Sequence, residues 1–167
     1  MMGGKLEVKS EYGVGTEFFF TIEQKLVAEE TEEHPSGEKN LKNFIAPEAK
    51  ILIVDDNAIN RMVAAGLLAP FQMQIDMAES GKMALSMVQE KKYDLIFMDH
   101  IMPDMDGIET TKNIRALDGS YYKALPIIAL TADAMTESQK LFAEASMNGF
   151  VAKPIDMAQI TRVLLQW

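Results

Sequence analysis

The feature that most constrains the fold is a regular alternation of short apolar runs with amphipathic segments, which begins at residue 49. Continuous apolar runs are typical of parallel strands that are buried on both faces of a sheet. Between Gln72 and Met77 apolar and polar residues alternate instead, which indicates an edge strand with one wetter face. We therefore predict a strand there and strands at the apolar runs, which are Ile51–Val54, Leu95–Met98, Ile127–Leu130 and Phe150–Ala152.

The segments between these runs carry signals for the start of helices. Residues with short polar side chains can cap a helix N-terminus, and Asp106 with Glu109 three residues later has the spacing of a capping box. We predict helices over about 57–68, 80–91, 106–117, 134–145 and 156–167, the first, second, third and last capped by Asn57, Ser80, Asp106 and Asp156. Five strand–helix units predict an α/β fold, a doubly wound five-stranded parallel sheet of the flavodoxin-like order 2-1-3-4-5.

The first 48 residues have a different character. Residues 1–24 contain two β-like stretches, Lys5–Lys9 and Thr16–Ile22, around a glycine-containing loop, which predicts an N-terminal β-hairpin appendage. Residues 25–48 are acidic and polar and are typical of a linker. The predicted organisation is therefore a hairpin at 1–24, a linker at 25–48 and an α/β domain at 49–167.

Composition and charge narrow the possible functions. The formal net charge of −9 argues against a nucleic-acid partner, because a surface that follows phosphates is basic. The sequence has no cysteine, which excludes disulfides and thiolate metal sites and fits a cytoplasmic location. No run approaches the ~18 apolar residues of a membrane helix. We expect this fragment to make no membrane contact, and a membrane anchor elsewhere in a parent protein stays open.

Chemically active residues follow the predicted strands. Asp55 and Asp56 follow the first strand, Asp99 the third, Thr131 the fourth and Lys153 the fifth. The carboxyl ends of parallel strands meet at one edge of the sheet, where ligands bind in this class of fold. An aspartate there is often only a helix cap and a lone lysine is usually solvated, so it is the combination that carries information.

The combination favours phosphoryl chemistry. Carboxylates in one crevice repel each other, and a hard divalent cation, Mg²⁺ or Mn²⁺, would offset that repulsion. One carboxylate could attack phosphorus and form an acyl phosphate. Lys153 and the cation would then offset the charge of the transferring group, and Thr131 would add a hydroxyl donor.

The chain resembles the receiver domains of two-component signalling over about residues 49–167. The resemblance rests on four segments in combination, which are Ile51–Asn57, Asp99–Gly107, Ala129–Ala132 and Val151–Pro154. It implies the flavodoxin-like fold and a Mg²⁺-dependent transfer of a phosphoryl group from a phosphohistidine to this chain.

The resemblance also implies a role for each matching residue. Asp99 would be the phosphoacceptor and a metal ligand, Asp56 a direct metal ligand, and Asp55 a ligand mainly through water. The backbone carbonyl of Ile101 would be a further ligand.

The remaining matching positions concern the phosphoryl group and the response to it. Lys153 would pair with the phosphoryl group, and Thr131 would move towards it. Phe150 would follow from an outward to an inward rotamer. Ala132 is small, as the family pattern requires.

The N-terminal segment resembles the end of the ATP-binding domain of histidine kinases, through Gly3–Ser10 and the box Gly15–Phe18. The order of kinase tail, linker and receiver is that of a hybrid sensor kinase. The implied partners are a histidine kinase core, a histidine phosphotransfer domain, or both, and a homodimer stays open.

We do not expect this fragment to be a kinase itself, because the sequence contains no nucleotide-binding motif of the expected kind. Neither histidine fits the role of a phosphodonor: His34 lies in the acidic linker, and His100 is predicted to be a loop residue that faces solvent or modulates access to Asp99.

Two other functions compete with the phosphoacceptor hypothesis. A phosphohydrolase that uses an aspartate nucleophile places a second acid two residues later, where this chain has Ile101. A degenerate, phosphorylation-independent binding module would have lost part of the acidic set or the lysine. This sequence retains both.

Overall fold

The computed structural model describes residues 4–11, 15–22, 44–132 and 136–167, and its contacts divide the chain into two compact units, residues 1–38 and 39–167. Most of the predicted linker, including His34, lies outside the described residues. The first two residues of the fourth predicted helix, 134 and 135, lie outside them as well.

In the first unit, strands β1 (Gly4–Glu11) and β2 (Gly15–Ile22) pair in antiparallel fashion. The register joins Gly4 to Ile22 at one end and Glu11 to Gly15 at the other. The pairing is that of the hairpin predicted from the sequence, and its assignment to a kinase domain stays a prediction.

Within the described residues of the second unit, five strands form a parallel sheet. The strands are β3 (Lys50–Val54), β4 (Gln74–Ala78), β5 (Leu95–Asp99), β6 (Ile127–Thr131) and β7 (Gly149–Ala152). Their spatial order is β4-β3-β5-β6-β7, which is 2-1-3-4-5 when the strands of this sheet are counted alone. The predicted fold class is confirmed, with the alternating segment at an edge of the sheet.

The connecting helices begin at the predicted caps. The side chains of Asn57, Ser80, Asp106 and Asp156 each accept a hydrogen bond from a backbone N–H in the first turn, which would otherwise lack a helical partner. The helices are α1 (Ala58–Leu68), α2 (Gly81–Glu90), α3 (Gly107–Ala116), α4 (Ser120–Ala124), α5 (Thr136–Glu144) and α6 (Met157–Gln166).

Alternate residues of each strand pack into hydrophobic clusters on opposite faces of the sheet. On one face, Leu52, Ile96 and Ala129 join buried residues of α2, α3 and α5. On the other face, Ile53 and Leu130 join buried residues of α1 and α6, and Ile51, Phe97 and Val151 extend that cluster. The sheet is therefore covered on both faces, and polar residues are found at the ends of its strands.

Three local features differ from the prediction or were missed. The sequence reasoning missed the short helix α4 and a 3₁₀ turn at Ala69–Phe71. The alternation from Gln72 to Met77 predicts Met73, Ile75 and Met77 on one side of the strand, but Met77 is 38% exposed whereas Met73 and Ile75 pack against the core.

The chain is already packed on the domain before β3 begins. The ring of Phe44 lies 5.8 Å from that of Phe71, and the Ala46 N–H donates to the Phe71 carbonyl at 2.8 Å. These contacts fix the entry of the chain into the sheet. Among the residues that the structure describes, none of the helices has the length and apolar character needed to cross a bilayer.

Candidate functional site

Three carboxylates meet at the carboxyl edge of the parallel sheet. Asp55 and Asp56 directly follow β3, and Asp99 is the last residue of β5. Each offers an oxygen that lies within 4.8 Å of the others. Asp55 and Asp99 are buried, whereas Asp56 is exposed, so the cluster opens to solvent on one side.

Lys153 connects two of these carboxylates. Its Nζ lies 2.8 Å from Asp55 Oδ2 and 2.9 Å from Asp99 Oδ2. The Lys153 backbone N–H donates to the Thr131 carbonyl at 2.6 Å, which ties the residue after β7 to the last residue of β6. Three carboxylates and one ammonium leave a formal charge of −2 in the cluster.

Burial and charge act in opposition on the ionisation of this cluster. Burial raises the pKa of the Asp99 carboxyl, Lys153 opposes that shift, and the negative charge of Asp55 adds to it. Burial by itself lowers the pKa of the Lys153 ammonium, but its hydrogen bonds and attraction to Asp55 and Asp99 outweigh burial and raise it. The carboxylates are thus short of positive charge even with the lysine in place.

Helix α1 holds the Asp55 carboxylate from the other side. The Asn57 N–H donates to Asp55 Oδ1 at 2.9 Å, and Asn60 Nδ2 lies 3.1 Å from both oxygens of the same carboxylate. Arg61 Nη1 donates to the backbone carbonyls of Asp55 at 2.6 Å and Asp56 at 3.1 Å. The sequence reasoning missed Asn60 and Arg61, because polar residues in an amphipathic helix are usually on its solvated face.

The loop after Asp99 approaches it closely. The Ile101 N–H lies 3.5 Å from Asp99 Oδ1, and the Ile101 side chain is 67% exposed. A Cβ on Gly107 would stand 2.2 Å from the Asp99 carbonyl oxygen, so only glycine fits there without a backbone shift. The predicted metal role of the Ile101 carbonyl stays a prediction.

His100 does not face solvent, contrary to one of the two roles predicted for it. Its side chain is 15% exposed, its Nδ1 lies 3.2 Å from the Leu130 carbonyl, and its ring meets that of Phe142 edge-on at 5.6 Å. The reason is the aromatic side chain of Phe142 on α5, which covers the imidazole. Nδ1 is 4.0 Å from Asp99 Oδ1, so the residue still borders the acceptor carboxylate.

The predicted switch residues lie beside the cluster. Thr131 is fully buried at the end of β6. Phe150 is 38% exposed, and its ring centroid lies 6.4 Å from that of Phe142. The structure therefore brings Asp55, Asp56, Asp99 and Lys153 together, while Thr131 and Phe150 stand on the neighbouring strands β6 and β7.

The cluster fits a hard divalent cation. Carboxylate oxygens are the ligands that Mg²⁺ prefers in proteins, and the excess negative charge matches that of a divalent ion. The partly open side at Asp56 would leave room for water and for a phosphate oxygen, which Mg²⁺ commonly keeps among its ligands.

Comparison with known proteins agrees with this fold and site. Residues 51–165 match the family described as the response regulator receiver domain, and the chain belongs to this family. The chain is 34% identical to the autoinducer 2 sensor kinase/phosphatase LuxQ of Vibrio parahaemolyticus, over 93% of this chain and 18% of that protein. It spans less than a fifth of the length of the curated relatives it matches.

Solved structures extend the comparison to the site. The receiver domain of a sensor histidine kinase of Pseudomonas aeruginosa, with a magnesium ion coordinated in its active site cleft, is 34% identical, with a TM-score of 0.65, over 71% of this chain and 96% of that one. The receiver domain of Saccharomyces cerevisiae Ssk1 was solved with the histidine phosphotransfer protein Ypd1. It is 25% identical, with a TM-score of 0.66, over 74% of this chain and 90% of that one. Residues 51–165 are thus a phosphorelay receiver domain related to those of hybrid histidine kinases.

Proposed function

We propose that Asp99 accepts a phosphoryl group from a phosphohistidine, and that the resulting acyl phosphate switches the surface around Thr131 and Phe150. The observation that carries the proposal is the ammonium of Lys153, which bridges Asp55 and Asp99 in a cluster that retains excess negative charge. A purely structural ion pair needs one carboxylate for one ammonium, and this cluster has two more.

In the proposed reaction an Asp99 carboxylate oxygen attacks phosphorus. A P–O bond forms, the P–N bond to the donor imidazole breaks, and its electron pair stays on that nitrogen. Asp99 Oδ1 is the less encumbered oxygen, because Oδ2 is held by Lys153 at 2.9 Å. Lys153 can follow the added charge from the carboxylate to a phosphoryl oxygen, because both positions lie beside Asp99.

A bound Mg²⁺, or Mn²⁺ with the same oxygen preference, would supply positive charge to the phosphoryl oxygens. Asp56, exposed at the mouth of the cluster, is the residue best placed to hold it directly, with Asp99 and the Ile101 carbonyl as further ligands. Asp55 is already engaged by Lys153, Asn60 and the Asn57 N–H, which favours a role mainly through water.

The switch is proposed to run through the aromatic contact beside β7. Phe150 is partly in solvent and meets Phe142, a buried residue of α5. If Thr131 moves towards the phosphoryl group, the space it leaves favours an inward turn of the Phe150 ring. That turn would change the contact with Phe142 and hence the outer surface of α5.

The proposed partner is a histidine phosphotransfer domain, in keeping with the Ssk1–Ypd1 complex. Helix α1 begins two residues after Asp56 and exposes Ile59, Met62 and Val63, which are 69%, 70% and 49% exposed. Their spacing puts them on one face, and an apolar face beside the acceptor is where a partner must dock to bring its phosphohistidine to Asp99.

The parent protein is proposed to be a hybrid sensor histidine kinase that acts in the cytoplasm. This rests on its likeness to sensor kinases and on the antiparallel pair β1–β2, which fits the end of a kinase ATP-binding domain. The boundaries proposed are 1–24 for that remnant, 25–48 for the linker and 49–167 for the receiver. A homodimer through the hairpin stays a further proposal.

Acetyl phosphate with Mg²⁺, followed by intact-mass measurement, tests the acceptor chemistry. We expect one added phosphoryl group on the wild-type chain and none on Asp99→Ala or in EDTA. An adduct on Asp99→Ala would move the acceptor elsewhere and contradict the proposal.

The docking proposal needs a separate comparison of donors. Met62→Glu should leave phosphorylation by acetyl phosphate unchanged and slow transfer from a phosphorylated histidine phosphotransfer protein that serves the wild-type chain. The matched control is Leu165→Glu, an exposed apolar position on α6. Equal slowing with both donors would mean that the substitution damages the site, and no slowing with the protein donor would exclude the α1 face as the docking surface.

A further inference from the structure

The Asp55 carboxylate is fully buried, and its two oxygens share four polar contacts. Oδ1 accepts from the Asn57 N–H and from Asn60, and Oδ2 accepts from Asn60 and Lys153. Lys153 is the one charged donor in this set. It is also the group that the proposed reaction requires to turn towards a phosphoryl oxygen.

The amide of Asn60 is unusual in contacting both carboxylate oxygens at the same distance, 3.1 Å. A donor shared between both oxygens fixes the plane of the carboxylate as well as its position. The next residue, Arg61, holds the backbone carbonyls of Asp55 and Asp56. Helix α1 therefore sets the orientation of the acidic pair through its side chains, independently of Lys153.

The chemistry of an amide suits this position. It donates hydrogen bonds without carrying a charge, so it steadies Asp55 and leaves intact the negative potential that attracts a cation. A lysine or arginine at the same place would offset that potential and compete with the metal. An apolar residue would leave a buried carboxylate with fewer donors, which is costly.

We propose that Asn60 is a positioning residue for cation binding: its amide keeps the Asp55 carboxylate oriented when Lys153 turns to the phosphoryl group. This inference rests on the proposed function, because it concerns the same metal and the same acceptor. It assigns to α1 a second task beside the docking face, carried by different residues of the helix.

Removing the amide should weaken binding of Mg²⁺ more than it weakens the fold. Outer-shell hydrogen bonds to metal-binding carboxylates typically change metal affinity by at least about 10-fold. We expect Asn60→Ala to lower the Mg²⁺ affinity by about 10-fold in titration calorimetry, and Asn60→Ser, which keeps one donor, to fall between it and the wild type. The affinity for beryllofluoride, a phosphoryl mimic, should fall in the same order of variants at saturating Mg²⁺.

A matched control is Asn113→Ala on α3, since the Asn113 amide contacts Met105 Sδ at 3.8 Å and not a carboxylate. Its Mg²⁺ affinity should equal that of the wild type. Urea unfolding of all variants in EDTA separates a loss of stability from a loss of affinity, and Asn60→Ser keeps the comparison available if Asn60→Ala does not fold.

Three results would overturn the inference. Wild-type affinity for Mg²⁺ in folded Asn60→Ala would make the amide a structural partner of Asp55 only. The same would follow if Asn113→Ala lost as much affinity as Asn60→Ala. A wild-type chain that bound no Mg²⁺ would overturn the proposed function, and this inference with it.

Discussion

The two ends of the parallel sheet carry polar networks of opposite character. At the carboxyl end, Lys153 contacts two of the three clustered carboxylates, and the cluster keeps excess negative charge. At the other end, Arg115 serves neutral oxygens: Nε and Nη2 donate to the Ser146 carbonyl at 3.1 and 3.0 Å, and Nη2 to Asn148 Oδ1 at 2.8 Å.

The Arg115 network is closed by backbone groups. Arg115 Nη1 donates to the Tyr122 carbonyl, and Asn148 Oδ1 also accepts from the Ile127 N–H at 2.9 Å, where β6 begins. Burial lowers the pKa of the Arg115 guanidinium, which stays charged because an arginine keeps its proton at any physiological pH. The Arg115 network finds all its acceptors within the protein and holds neighbouring segments together. The acidic cluster at Lys153, in contrast, is completed only when a cation and a phosphoryl group bind.

The largest expected effect is on stability at the closed end. Arg115→Ala should lower the free energy of unfolding by about 3 kcal/mol, because the Ser146 and Tyr122 carbonyls lose their charged donor and Asn148 Oδ1 loses one of its two donors. Urea unfolding measures this, with Arg162→Ala on an exposed part of α6 as the control that should change little. A loss as small as that of the control would mean that water replaces the guanidinium at no cost, and the contrast between the two ends would weaken.

The open end should respond to metal instead. Mg²⁺ at a hundred times its dissociation constant should raise the free energy of unfolding by about 2.7 kcal/mol, since it binds the folded chain alone. Thermal unfolding with and without Mg²⁺ measures the gain, which Asp56→Asn should reduce and Arg162→Ala should not. The same gain in Asp56→Asn would locate the bound ion away from the acidic cluster.

A smaller effect concerns the acceptor in metal-free buffer. Asp99→Asn should stabilise the chain by about 1 kcal/mol at pH 7, as expected where a functional site is held in an unfavourable state. Because burial raises the pKa of Asp99, its ionised form costs stability above the unfolded pKa of about 3.9, and the gain should vanish as the pH falls below that value. A destabilised Asp99→Asn would mean that Lys153 compensates the buried charge fully.

The smallest expected effect is at Asp76, where replacing the carboxylate should destabilise the chain, in contrast to Asp99→Asn. The Asp76 carboxylate accepts from Lys91 Nζ, and from the Tyr93 hydroxyl at 2.7 Å. The hydrogen bond from Lys91 lowers the pKa of Asp76, with burial acting against it. Asp76→Asn should therefore cost about 0.5 kcal/mol at pH 7, a modest value for a partly exposed pair.

The pH dependence of the stability difference between wild type and Asp76→Asn tests whether the charge of Asp76 causes it. The stability that Asp76 contributes is present above its unfolded pKa and is lost as the pH falls through the lowered folded pKa, so wild type and Asp76→Asn should converge in acid. Denaturant unfolding between pH 7 and pH 3 measures the difference, with Lys92→Ala as a control for loss of surface charge. A difference that stayed constant with pH would point to packing as the cause.

The sequence predicted the chain's fold and the location of its acidic cluster because both depend on local signals. Apolar runs mark buried strands, and capping residues such as Asn57 and Ser80 mark the start of helices. An aspartate directly after a strand is placed by the strand itself, so parallel pairing brings Asp55 and Asp99 together without any knowledge of side-chain packing.

The residues that the sequence reasoning missed are those whose role arises from tertiary contacts. Asn60 and Arg61 have the spacing of an ordinary solvated helix face, and only the turn of α1 over β3 points them at the acidic pair. His100 was expected to face solvent in one of its two predicted roles, and the ring of Phe142 from a helix 42 residues later covers it. The same holds for Arg115, whose acceptors lie in helix α4 and in the segment before β7 and became visible only in the structure.

The bridge between Lys153 and Asp55 joins residues that are 98 positions apart. Closing so large a loop is a step that folding can complete only after the last strand has docked. A growing chain therefore carries its three carboxylates without their lysine until nearly the whole domain has been synthesised. Any partial opening that frees β7 removes that lysine from the cluster while β3 and β5 stay paired. The site that receives the phosphoryl group is therefore complete only when β7 has docked on the rest of the domain.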